Sequence, residues 1–203
     1  MAAMLPDRRI GRARAATARA LSILGHPALV MPVAVVLSSV SRGAPAEVTR
    51  VALAAALIVA AIVAVYSLLQ VRAARWSHVD ASAPAERVHL NRFLAALLLT
   101  AAALLWIAGQ PAALVAGLGW SAAIVIVALA ARRWMKLSLH SAFGAYAAGL
   151  LWPLLLAMAV LASLAAAVAW SRLQLGRHTT AEVAAGLGLG VMAGAAFHLL
   201  AGY

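Results

Sequence analysis

The sequence contains no cysteine. Disulfides, thiolate nucleophiles and cysteine-ligated metals are therefore excluded, and cysteine usage says nothing about the redox compartment. Acidic residues are nearly as scarce: five Asp and Glu stand against 16 Lys and Arg in 203 residues. Charge of both signs together makes up 10% of the chain, where a soluble domain carries about 25%. A single soluble core, a disordered chain and a coiled coil all need more charge than this. The net charge of +11 would suggest nucleic acid in a soluble protein. In a chain that is 66% hydrophobic, it reports membrane orientation and anionic ligands such as phosphates or lipid head groups. No nucleic-acid partner is expected.

What the sequence has in abundance is long apolar stretches rich in Ala, Leu and Val. They run over Ser22–Val40, Val48–Gln70, Phe93–Ala108, Ala112–Ala131, Leu139–Trp152, Leu154–Trp170 and Thr179–Ala201. A membrane-crossing helix needs about 20 mostly apolar residues, and about 17 suffice. Only helices and closed barrels satisfy their backbone in lipid. A barrel would alternate in polarity, and these stretches do not. The expected fold is an all-α polytopic membrane helix bundle of about seven spans (six to seven). Turn chemistry separates the stretches at Ser41–Pro45, Gly109–Pro111 and Trp152-Pro153. Residues 1–21 read as a basic N-terminal segment and residues 22–203 as the membrane domain. Trp residues lie mostly at the edges of the stretches, as an aromatic belt would place them.

The cations are distributed unevenly. Seven spans put the N-terminus and loops 71–92, 132–138 and 171–178 on one side. That side then holds 14 of the 16 Lys and Arg, leaving only Arg42 and Arg50 opposite. The positive-inside rule makes the crowded side cytoplasmic, in an inner or cytoplasmic membrane. An even number of spans separates each of these loops from the next, so all three can converge on one site.

Each of the three carries residues with chemistry. In the third, Ser171-Arg172 precede His178 by several residues, and Glu182 follows four residues later at the start of a helix. Residues four apart share a helix face, so the carboxylate can hold one ring nitrogen and leave the other free to attack or to accept a proton. Arg177 adjoins the histidine. The second loop supplies Lys136, Ser138 and His140 within five residues, and the first supplies Asp80 and Arg87.

These elements resemble the signature of the type-2 phosphatidic acid phosphatase superfamily, which includes lipid phosphate phosphatases. Ser171-Arg172, five residues, His178, three residues and an acid is similar to its SRxxxxxHxxxD element. Lys136–His140 resembles PSGH, and Asp80-x6-Arg87 falls where KxxxxxxRP is expected. The resemblance spans about Asp80 to Gly194. Three positions depart from it: Glu182 replaces Asp, Leu139 replaces Gly, and Asp80-Val88 replaces the Lys and Pro of the first element.

The resemblance implies a phosphatase-like domain in which His178 is the nucleophile, Glu182 orients it and His140 protonates the leaving alcohol. Arg172, Lys136, Arg87, Ser138 and Ser171 would hold the phosphate, with Asp80 and Arg177 as further candidates. The implied activity is hydrolysis of a lipid or polyprenyl phosphate or diphosphate through a phosphohistidine, with no metal and no cofactor. A phosphotransferase or diphosphate-using enzyme on the same scaffold is one alternative. A non-enzymatic lipid-binding membrane protein with a degenerate site is another.

Other residues have plainer readings. His26, His78, His89 and His198 read as structural histidines, and Arg132-Arg133 as a topology cluster. Gly186, Gly190 and Gly194 recur every four residues, a spacing that lets helices approach closely. That suits packing within one chain, with a homo-oligomer seam as the alternative use.

Overall fold

A computed structural model of the chain describes residues 8–81 and 83–200. Residues 1–7 of the basic segment lie outside the described residues, as do residues 82 and 201–203. The described residues form eight helices: α1 (Arg8–Leu24), α2 (Pro27–Ser41), α3 (Ala46–Arg72), α4 (Pro84–Ile107), α5 (Ala112–Ala131), α6 (Leu139–Gly149), α7 (Leu155–Gln174) and α8 (Thr180–Leu200). The described residues contain no strand.

The bundle is polytopic, but the count of about seven spans needs correction. Among the described residues five helices are long and apolar enough to cross a membrane (α3, α4, α5, α7 and α8), and the bent pair α1–α2 adds at most a sixth. Two apolar stretches fall short for different reasons. Ser22–Val40 is broken at Gly25-His26, where α1 and α2 meet at 46°. Pro27 lacks an N–H and drives His26 into extended geometry (φ −63°, ψ 134°). His26 then caps α2, its Nδ1 accepting from the Ala28 N–H at 3.2 Å. Leu139–Trp152 yields only the 11 residues of α6, about 17 Å of helix against a hydrocarbon core of about 30 Å. Residues Ser141–Ala148 of α6 are all buried, walled by α2, α5, α7 and α8. A helix shielded by protein has no need to match the bilayer.

The glycine stripe of α8 sets that wall. A methyl added at Gly186 would sit 2.6 Å from the Ser138 carbonyl oxygen. One at Gly190 would collide with the Ala142 carbonyl, and Gly194 lies against Gly149. The small residues therefore bring α8 alongside α6 within the chain, the two running parallel from the same end of the bundle.

At that end lie loops 73–83, 132–138 and 175–179. Trp134 and Trp170 are exposed near it, while Trp106 and Trp152 are exposed toward the opposite end, a two-sided belt. Trp76 departs from the belt: it is buried, edge-on to Tyr66, which stacks on Phe93 at 3.9 Å. α1 is docked on α7. Gly25 abuts Val168, where no larger residue fits, and Ser22 lies beside Arg172.

Candidate active site

The third loop is built by a helix end. α7 closes with a Schellman motif: the Arg177 N–H donates to the Arg172 carbonyl and the Gly176 N–H to the Leu173 carbonyl, both at 3.0 Å. Gly176 occupies the left-handed region at φ 61°, which glycine adopts without strain. Thr179 then starts α8 with a reciprocal capping box. The Glu182 N–H donates to Thr179 Oγ1 at 3.3 Å, and the Thr179 N–H donates to the Glu182 carboxylate at 3.1 Å. One helix end, one glycine and one cap thus fix the interval from Arg172 to His178.

His178 is held through Nδ1, which lies 3.1 Å from the Lys136 carbonyl oxygen and 3.2 Å from Glu182 Oε2. Both partners are acceptors, so Nδ1 carries the proton and Nε2 keeps its lone pair. Burial first, and then the Lys136 and Arg172 cations, lower the His178 pKa to about 4 against the opposing pull of Glu182. The imidazole is neutral at pH 7. Glu182 also accepts the Lys136 N–H at 3.2 Å, and its carbonyl accepts the Ser138 N–H at 3.3 Å. Lys136 Nζ donates to the Arg177 carbonyl at 2.7 Å. The second and third loops are therefore tied together. Burial, with Arg87 the next cause, lowers the Lys136 pKa.

His178, His140, Lys136, Arg87, Arg172, Arg177 and Asp80 all line one cavity of about 990 Å³. Its head thus holds four cations and a single carboxylate. Asp80 Oδ2 lies 3.9 Å from Arg177, both half-exposed, a contact worth at most about 1 kcal/mol. Arg172 is 7% exposed; Nη1 donates to Ser22 Oγ at 3.0 Å, while Nε has no hydrogen-bond partner. A buried cation without an ion-paired carboxylate favours an anionic ligand.

Ser138 and Ser171 are not brought to the cavity. Both are fully buried. Ser138 caps α6 and its hydroxyl meets Ser141 Oγ at 3.0 Å, while Ser171 Oγ donates to the Val168 carbonyl at 2.7 Å. Their hydroxyls serve helix ends and turns, so the phosphate-holding role expected for them is not available in this geometry. The first turn of α8 also faces loop 132–138, whereas Leu139 and His140 at the start of α6 face the cavity.

Two residues take roles that the sequence does not assign to them, and one of them, His26, reads from the sequence as purely structural. His26 lines the cavity, and its ring meets the His140 ring edge-on at 4.9 Å. Its position at the N-terminal edge of the first apolar stretch, on the same side as the motif loops, was the available signal. Glu86 builds the first loop: its buried carboxylate accepts the N–H and hydroxyl of Ser77 at 2.8 and 3.1 Å and the Ala83 N–H at 3.0 Å. This shapes the turn that presents Asp80, where the following Ala81 is held at φ 49°.

Among the described residues no three His, Asp or Glu side chains cluster closely enough to hold a metal ion. Compared with protein-family models, curated proteins and solved structures, the chain finds no match.

Proposed function

We propose that the protein hydrolyses a phosphate or diphosphate carried on a lipid or isoprenoid, with His178 as the nucleophile. The observation that carries this is the neutral His178, held at Nδ1 by Glu182, at the head of a membrane-deep cavity with four cations and one carboxylate. Nε2 attacks phosphorus and the ester oxygen leaves. Arg87, Lys136, Arg172 and Arg177 stabilise the charge spread over the non-bridging oxygens, and Glu182 stabilises the histidine as it becomes cationic. Burial, and then the Arg172 cation, hold the His140 pKa well below its ordinary value. His140 gains a proton when the anionic phosphate enters, passes it to the leaving alcohol, and takes one back from the water that then hydrolyses the phosphohistidine. The similarity to the type-2 phosphatidic acid phosphatase signature supports the same assignment of roles. The charge asymmetry of the loops supports a site on the cytoplasmic face, which suits a biosynthetic step better than recycling of a carrier delivered outside.

The test is phosphate release by purified protein, in EDTA, from a panel of phosphatidate, phosphatidylglycerol phosphate and polyprenyl phosphates and diphosphates. Release is expected from the wild type, with a loss of about a thousandfold or more in His178→Ala. Equal release by His178→Ala, or none by the wild type on any substrate, overturns the proposal.

A further inference from the structure

The cavity that holds the cations does not stop beneath them. Along α3 it is lined at every turn from Val48 to Leu68, a rise of about 30 Å. That equals the whole hydrocarbon thickness of a bilayer, about 30 Å, and not one leaflet of it. The α3 residues facing it include a ladder of small ones, Ala52, Ala56, Ala60 and Ala64, with Val59 and Val63 between them.

At its far end sits a built cluster. Arg42 lies over the Phe197 ring, 5.0 Å from the centroid. Arg42 Nε donates to Ser38 Oγ at 3.1 Å, and Nη2 lies 3.3 Å from His198 Nδ1. His198 Nε2 in turn donates to the Gly149 carbonyl at 2.8 Å. Nδ1 accepts from Arg42 and Nε2 donates to Gly149, so the His198 ring carries its proton on Nε2. The channel thus runs from a cationic head to a polar stop, with apolar walls between. α3 packs on α2 and only lightly on α4, which leaves a lateral way in from the lipid.

A glycerolipid in a bilayer matches only part of this length. Its two acyl chains lie side by side and end at the bilayer midplane, leaving the half of the channel beyond Val59 empty. An empty apolar channel forfeits dispersion contacts along its walls. We infer that the tail of the substrate is a single polyisoprenoid chain longer than one leaflet, threaded from the site toward Arg42, and that the far half of the channel selects for that length. This rests on the phosphatase reading for the head group alone; the channel and its stop are separate observations.

The experiment compares kcat/KM of the purified protein on farnesyl phosphate, a long polyprenyl phosphate, its diphosphate, and dioleoyl phosphatidate. The wild type is expected to favour the long polyprenyl chain at least tenfold over phosphatidate. Ala56→Trp, which narrows the far half, is expected to lower the long-to-short preference at least tenfold while the melting temperature stays near that of the wild type. If Ala56→Trp does not fold, Ala56→Leu is expected to shift the same ratio in the same direction. An unchanged ratio in a folded variant, or phosphatidate turned over as well as the long chain, overturns the inference. If no substrate releases phosphate, the hydrolase reading falls, and binding decides the channel. Native mass spectrometry should then still find the long polyprenyl phosphate retained over phosphatidate, less so by Ala56→Trp, and no such preference sinks the channel too.

Discussion

Glu182 serves His178 and the helix that carries it with the same carboxylate. Oε2 lies 3.2 Å from His178 Nδ1 and accepts the Thr179 N–H at 3.1 Å, while Oε1 accepts the Lys136 N–H at 3.2 Å. Glutamate reaches all three because it sits at the third position of α8, where a capping-box side chain turns back toward the helix start. The glutamate found where the family signature has aspartate thus has a local structural use.

Replacing Glu182 with Gln separates the two duties. Glutamine still caps at this position, so the melting temperature should stay within a few degrees of wild type. The charge that balances the histidine as it becomes cationic is lost, and the rate should fall on the order of a hundredfold. A melting temperature that drops while the rate per folded molecule holds would make Glu182 a cap and nothing more.

His178 should remain neutral well into acid. Its pKa lies near 4 against an ordinary 6.5. Between those values the unfolded chain binds the proton and the folded one does not. The stability contribution is therefore complete above about pH 6.5 and is lost as the pH falls toward 4. In nitrogen-15 NMR of histidine-labelled protein, the signal absent from His178→Ala should not move between pH 7 and pH 5. A midpoint near 6.5 would refute the buried, cation-flanked geometry.

Ser171 and Arg172 adjoin in sequence and part in function. The Ser171 hydroxyl is spent on the Val168 carbonyl, whereas Arg172 faces the cavity. Ser171→Ala should cost about 1 kcal/mol of stability and leave kcat/KM within about threefold of wild type. Arg172→Lys keeps the charge but loses the planar fork that reaches Ser22, and should cost at least about tenfold in kcat/KM. The reverse order would restore Ser171 as a phosphate ligand.

Gly176 sets the aim of the loop. At φ 61° a side chain is strained, so Gly176→Ala should destabilise by about 1 kcal/mol. The Arg177-His178 segment would turn with it. Activity should fall further than that loss of stability accounts for, measured as kcat/KM on protein that is fully folded.

Much of this was legible because lipid leaves few choices. Uncharged stretches of about 20 residues had to be helices, and the two crossings α4 and α5 had to return Asp80 and Lys136 to one end. His178 rejoins them because α6 runs inward within the protein and α7 comes back. Length was misleading where protein replaces lipid as the surrounding medium: α6 is short because its neighbours cover it. The break at Gly25-His26 was hidden inside an apolar stretch, since Pro27 ends α1 without changing hydropathy. The direction of a hydroxyl was not legible at all. Ser138 and Ser171 stand at motif spacing, yet a serine near a helix end can turn to its own backbone, and here both turn to helix partners. Glu86 escaped notice because its partners are backbone N–H groups and Ser77, which follow no motif.

The sidedness of the site gives the broadest prediction. Contacts of Arg177 with Asp80 and Lys136 gather loops 73–83, 132–138 and 175–179 at one end, and α1 leads outward from the same end, Gly25 at Val168 and Ser22 at Arg172. The turns at 42–45 and 108–111 lie at the other. The chain has no native cysteine, so single cysteines report without background. Ala13, Ala73, Ala46 and Ala108 are exposed and suit the test. Ala81 does not, being fully buried at φ 49°. With 14 cations on the side of the site and two opposite, the site should face the cytoplasm. A membrane-impermeant maleimide should label Ala46→Cys and Ala108→Cys in intact cells, and Ala13→Cys and Ala73→Cys only after permeabilisation. Labelling of Ala73→Cys in intact cells would place the cationic head outside and exclude a cytoplasmic step, while the chemistry assigned to His178 would stand. Labelling of Ala73→Cys and Ala13→Cys from opposite sides would instead break the parity itself and separate α1 from the site it is docked against.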